Sequence, residues 1–496
     1  MKKAAGLGIG IVSALLWLPP VFADSSGDIL AVLDGMKQQM ARMQQTIDQQ
    51  NLRIQQLESK KVLEVPQPNA AMQPLPTGQA GGTAQNMTEN DWQKGIKDNI
   101  GEAIPWLKGA KFGGDLRLRM ENFETYDKNN DAGSTGTAAD RTRNRFRVRL
   151  RWGFEKDFGD DWKAGFRLVT GITTEPTATN QTLGNPGYFN YKSIQIDKAY
   201  ATYEPGALKD RGLLKSVRLG AGKFENPFLR YSTPIVWDPD VMPEGVYEQA
   251  NLAFISDGTN KLNFYAATGQ FITNENAAVS TDSEVYGYQA VLVWSTHVFG
   301  ADMPVDITGA VSYYDYPGWS QTVVNNTAAT SYLRTNTIVA DNFRVLDVYP
   351  EIEFSVDRTP VTLWVDFATN VGNTLSTEDT VQSLGNDIHD QDEAWGVGAR
   401  IGKPKKKGDW QLSYGYYEIG VNAVVAAFND SDFGGPGTVG ATNRKGHKFG
   451  FFYQLTDSVA VSWTGFVVRP LNPSAVVASS THESVFRSQV DLSYKF

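Results

Sequence analysis

The sequence predicts an all-β protein, a transmembrane antiparallel β-barrel of about sixteen strands preceded by an N-terminal α-helical coiled coil. Three observations predict it. A secretory leader opens the chain, polar and apolar residues alternate with period two from residue 111 onward, and the connections between the alternating runs are short and long in turn.

The leader occupies residues 1–23: Lys2 and Lys3, an apolar stretch from Ala4 to Leu18, then Val21-Phe22-Ala23 as a cleavage motif. A membrane anchor is the competing reading. The apolar stretch is shorter than the ~20 residues a spanning helix needs, and Pro19-Pro20 interrupts it. No later segment is long and apolar enough for such a helix, so a membrane would have to be crossed by strands. The chain contains no cysteine, which suits an oxidising periplasm and rules out cysteine-ligated metal or c-type haem; no metal or other cofactor is expected. Its net charge of −9 becomes more negative once Lys2 and Lys3 leave, which argues against nucleic acid as a partner.

Residues 24–61 carry a heptad seam of Ile29, Leu33, Met36, Met40, Met43, Ile47, Gln50, Ile54 and Leu57. The stripe is narrow, as in a periplasmic coiled coil; one amphipathic helix lying on a surface is the alternative. Residues 62–110 form a linker rich in Pro and Gly, with a short helical pattern at Trp92, Ile96, Ile100 and Ile104.

The barrel is expected over residues 111–496. Its clearest strands are Arg145–Phe154, with Phe146, Val148, Leu150, Trp152 and Phe154 on one face, and the last, with Phe486, Ser488, Val490, Leu492, Tyr494 and Phe496 on one face. Tight connections are expected near 156–161, 204–215, 256–260, 297–303, 357–360, 403–409 and 455–458. Longer ones are expected at 124–142, 175–190, 223–245, 273–282, 317–342, 372–392, 422–443 and 470–483. That alternation implies about sixteen strands with short turns facing the periplasm and long loops outside. Tyr191 to Tyr203 alternates poorly. A soluble sandwich or propeller is the other way to use many strands, but a dry core does not accept faces this rich in arginine.

A barrel of this size leaves a water-filled lumen. The polar faces of the first three strands carry Arg117, Arg119, Arg145, Arg147, Arg149, Arg151, Lys163 and Arg167, with Asp115, Glu121 and Glu155 among them. They form either a basic wall of the lumen or an ordinary solvated face. The third long connection holds four prolines, the apolar Phe228, Ile235 and Trp237, and the acids Glu225, Asp238, Asp240 and Glu244. Such a loop either folds inward as a constriction or forms an outer lid or subunit contact.

The strings Asn226-Pro227-Phe228 and Trp237-Asp238-Pro239-Asp240-Val241-Met242-Pro243-Glu244-Gly245, the heptad segment and the terminal aromatic resemble the putative porin family of Gram-negative outer membranes. The resemblance implies a channel for passive diffusion of small hydrophilic solutes and ions. Likeness to general diffusion porins further implies an inward third loop and a homotrimer surrounded by outer-membrane lipid and lipopolysaccharide. Tyr494 and Phe496 resemble the signal read by the barrel-assembly machinery, though their plainer role is to end a lipid-facing strand. A substrate-selective oxyanion channel and a barrel tethered through its coiled coil to the cell wall or a periplasmic partner are the alternatives. Catalysis has little support, because adjacent acid–base pairs such as His389-Asp390 arise by chance in loops rich in Asp and Asn.

Overall fold

In a computed structural model the described residues are 109–126, 141–172, 175–228, 233, 235–256, 260–275, 282–297, 304–318, 343–372, 391–434, 441–471 and 484–496. The leader, the heptad segment and all but the end of the linker lie outside them. Seventeen strands run from β1 (Ala110–Tyr126), β2 (Arg141–Gly159), β3 (Trp162–Thr170), β4 (Gln181–Thr182), β5 (Ile194–Tyr203) and β6 (Leu214–Lys223) to β7 (Glu244–Ser256), β8 (Lys261–Asn274) and β9 (Ser283–His297). They continue with β10 (Pro304–Tyr316), β11 (Phe343–Val356), β12 (Thr359–Asn370), β13 (Glu393–Ile401), β14 (Trp410–Ile419), β15 (Arg444–Gln454), β16 (Val459–Pro470) and β17 (Ser484–Lys495).

Sixteen of these form a closed antiparallel ring, each bonded to its neighbours and β17 bonded back to β1. The two-residue β4 stands apart, adding a short bridge beside β2 at Arg147 and Val148. The strand boundaries fall where the periodicity placed them. Tight turns need a backbone that reverses within two residues while matching strand twist. Asp160-Asp161 and Asp357-Arg358 do so with φ of 49°, 69°, 47° and 68°.

The poor alternation before Tyr203 has a local cause. Arg167 pairs with Lys198 while Leu168 pairs with Ile196, so Asp197 is an extra residue in β5. That bulge moves everything after it to the other phase.

Period two separates two environments. Phe146, Leu150, Trp152, Phe367, Trp395, Val490 and Leu492 face outward and exposed, the apolar face of a membrane-spanning barrel. The opposite faces line the lumen, whose filling is lopsided. Tyr265, Phe271, Tyr314, Tyr316, Phe343, Trp364 and Tyr417, on β8, β10, β11, β12 and β14, are buried in one cluster with loop residues Phe224, Phe228, Ile235 and Trp237. The inner faces of β17, β1 and β2 are charged instead.

Candidate functional site

On that charged wall the register sets Asp115 opposite Arg151, Arg117 opposite Arg149, Arg119 opposite Arg147 and Glu121 opposite Arg145. Most of these arginines have carboxylate partners. Arg119 grips both oxygens of Asp491 at 2.7 and 2.8 Å and reaches Asp432 at 3.1 Å. Arg149 and Arg151 share Asp115 at 2.7 and 2.6 Å. Arg145 and Arg487 both pair with Glu121, with Arg147 3.7 Å away from it. Arg117 differs, since its Nε and Nη2 donate to the neutral Asn180 Oδ1 at 3.2 and 2.8 Å.

Lys163 and Arg167 do not join this group. Arg167 pairs with Asp197 beside it, and Lys163 lines a separate space with Lys198, Arg218 and Glu225. The sequence placed all eight on one polar face, but β3 carries its two toward the short-turn end.

The third long connection runs through the lumen, and its packing shows why. Phe228 is fully buried, edge-on to Tyr314 at 5.3 Å, under Gly287, where a Cβ would stand 2.4 Å from the Phe228 ring. Thr233 donates to Asp366 on β12. Trp237 stacks on Phe428 at 5.4 Å, and Asp238 N donates to Phe428 O at 2.6 Å. Burying these apolar groups contributes roughly 2 kcal/mol per large side chain. That fixes the acids at the turn, with Asp240 3.7 Å from Arg149 and 3.6 Å from Arg151. Asp238 lines the same space, whereas Glu225 faces Lys198 at 3.3 Å and Glu244 faces Lys223 at 2.8 Å, both well exposed.

Two further segments enter the lumen that the sequence reading left outside. After β14, Val421, Asn422, Ala423, Val424, Val425 and Ala426 are buried, ending in a helical turn, α1 (Ser431–Gly434). Their apolar run carried the same signal as Phe228, Ile235 and Trp237. Asp432 of α1 pairs with Arg119 and Arg487, and Asp430 with Lys448 at 2.8 Å. Between β3 and β4, Thr179 donates to Asp240 at 2.7 Å and Asn180 reaches Arg117.

The result is a space of about 630 Å³ with Arg117, Arg147, Arg149 and Arg151 on one side and Asp238, Asp240, Asp430 and Asp432 on the other. Spaces of about 690 and 760 Å³ adjoin Glu225 and Glu244 respectively. Burial pushes the Asp238 carboxyl well above its ordinary range, and the Asp240 and Asp430 charges push it further. Burial acts the same way on Asp432, but Arg487 and Arg119 outweigh it and hold that carboxylate well below its ordinary range. Among the described residues no cluster of His, Asp and Glu is arranged to hold a metal. His447 lies on the outward aromatic face beside Tyr414 at 2.9 Å, and His389-Asp390 lies outside the described residues.

The family described as a putative porin matches residues 93–338 and 320–496. No curated protein matches the chain in sequence. Among solved structures, the high-pH form of Pseudomonas putida OprB is similar at 12% identity and TM-score 0.47, over 84% of this chain and 100% of that one. Salmonella typhi OmpF in complex with daunomycin is similar at 12% identity and TM-score 0.40, over 78% and 98%. A triple mutant of Rhodopseudomonas blastica porin gives 10% identity and TM-score 0.36, over 78% and 100%.

Proposed function

The chain belongs to the putative porin family, and from that premise we propose that solutes crossing its barrel meet a charged constriction, basic on the β1–β2 wall and acidic on the facing loop. As a porin the protein is an outer-membrane, water-filled channel for passive diffusion of small hydrophilic solutes and ions. The observation that carries the charged constriction is Asp240 of the inward loop held 3.6–3.7 Å from Arg151 and Arg149 at the edge of the 630 Å³ space. Opposed charges across a narrow gap between low-dielectric walls set up a transverse field that favours polar solutes over apolar ones.

Neutralising Arg145, Arg147 and Arg149 together tests this. Glu121 keeps Arg487 and Asp115 keeps Arg151, but the wall loses three positive charges beside them. The reversal potential in planar bilayers is expected to move toward cation preference, and an unchanged reversal potential overturns the proposal. The same reading has three barrels associating, with segments 24–61 meeting as a coiled coil in the periplasm. It also has Tyr494 and Phe496 serving as the assembly signal. The heptad spacing and the terminal aromatic face support these two points.

A further inference from the structure

We propose that Arg117 and Arg147 form a docking site for the carboxylate group of small passing solutes, and that the Asn180 side chain occupies this site as a neutral stand-in when no solute is bound. The proposal rests on the channel reading above and assigns it a solute class.

Arg117 is the odd cation of the wall. Among the described residues no carboxylate lies within 4.0 Å of it, and its guanidinium edge is spent on one amide oxygen. Arg147 donates through Nη2 to the Asn180 main-chain oxygen at 3.0 Å, while its Nε is buried with no hydrogen-bond partner. The register aggravates this, because Arg117 sits directly opposite Arg149 and Arg119 directly opposite Arg147. Like charges facing each other across a strand pair are unfavourable, so this stretch of wall gains from an added anion.

The shape of that anion can be read from Asn180. A carboxamide is planar, with the size and outline of a carboxylate, and it presents one oxygen to the forked edge of Arg117. A carboxylate in its place would accept the same two bonds and offer a second oxygen. The Arg117 guanidinium already makes its bonds to the amide charge-assisted, and a carboxylate adds to them the attraction between opposite full charges.

Exchange requires only a side-chain rotation. Gln181 anchors the next residue to the Gly171 and Ser193 carbonyls at 2.7 and 2.8 Å, and Thr179 anchors the preceding one to Asp240 at 2.7 Å. The backbone is therefore pinned on both sides of Asn180. The site opens onto the 630 Å³ space, also lined by Arg143 and Thr177.

The test is titration of the purified full-length protein with sodium acetate, read by block of chloride current in planar bilayers and by calorimetry in detergent. The unaltered protein is expected to show a saturable acetate effect. Asn180→Asp supplies a carboxylate in place and at high effective concentration, so the half-saturating acetate concentration should rise about tenfold or more. Asn180→Ala removes the competitor, and that concentration should fall a few-fold. Opposite shifts are the signature, since a merely structural asparagine would move both variants the same way. No saturable acetate effect in the unaltered protein, shifts of one sign, or preference for inorganic phosphate over acetate overturns the proposal. Acetate binding in calorimetry by a barrel that passes no current would overturn the channel reading and leave the site standing. Heat-modifiable gel mobility reports which variants have folded.

Discussion

At the scale of single residues the wall is a set of charges matched except at Arg117, and two aspartates facing it have opposite dependences on pH. Burial raises the folded pKa of Asp238 above its ordinary value, so its stabilising protonated form is complete below that ordinary value and is lost as pH rises through the folded pKa. Asp238→Asn removes this loss, and its melting temperature relative to the unaltered protein is expected to climb as pH rises above the ordinary carboxylate range. A constant difference would contradict the placement of Asp238. Asp432 runs the other way, its folded pKa being lowered, so its contribution is present at neutral pH and lost only as pH falls through the folded value. Its side chain keeps 30% of its surface exposed, so Asp432→Asn should cost about 2 kcal/mol at pH 7, less than the range for fully buried pairs. Denaturant titration should show that gap shrinking in strong acid. The arginines were legible because alternation fixes which face a residue takes. Their partners were not, since Asp491 lies 372 positions from Arg119 and nothing local signals the pairing.

At the scale of elements, strands were legible and loops only partly so. The third long connection stood out because Phe228, Ile235 and Trp237 would be misplaced in water, and these side chains hold it in the lumen. Phe228→Ala leaves a cavity beneath Gly287 and Tyr314 and should destabilise that packing by roughly 3–5 kcal/mol. Single-channel conductance is expected to rise and become noisier; a loop fixed by other contacts would leave it unchanged. The segment after β14 offered the same clue in Val421 to Ala427, but it was read only for its length. β4 could not be foreseen, because a two-residue bridge has no period to detect. The Asp197 bulge is similar, visible as a break in alternation whose position only pairing reveals.

At the scale of the whole molecule, the ring of sixteen barrel strands followed from counting connections, while the lopsided lumen did not, because it depends on three separate segments entering one space. Crosslinking is expected to give a trimer from the full chain, and its yield should drop when Ile29 to Leu57 are deleted; an undiminished trimer assigns the contacts to the barrel alone. Deleting Phe496 should lower the yield of assembled barrel, since its main-chain N and O both bond Gly114 at 3.2 and 2.9 Å. The seam those bonds belong to sets the timing of assembly. Joining segments 372 positions apart carries about 4 kcal/mol more loop-closure entropy than a turn of about four residues. Until β1 and β17 meet, each presents a row of unpaired N–H and C=O groups that hydrocarbon does not tolerate. The slow event in making this molecule is thus an encounter between two distant edges, and whatever hastens it must lend one edge a temporary neighbour until the other arrives.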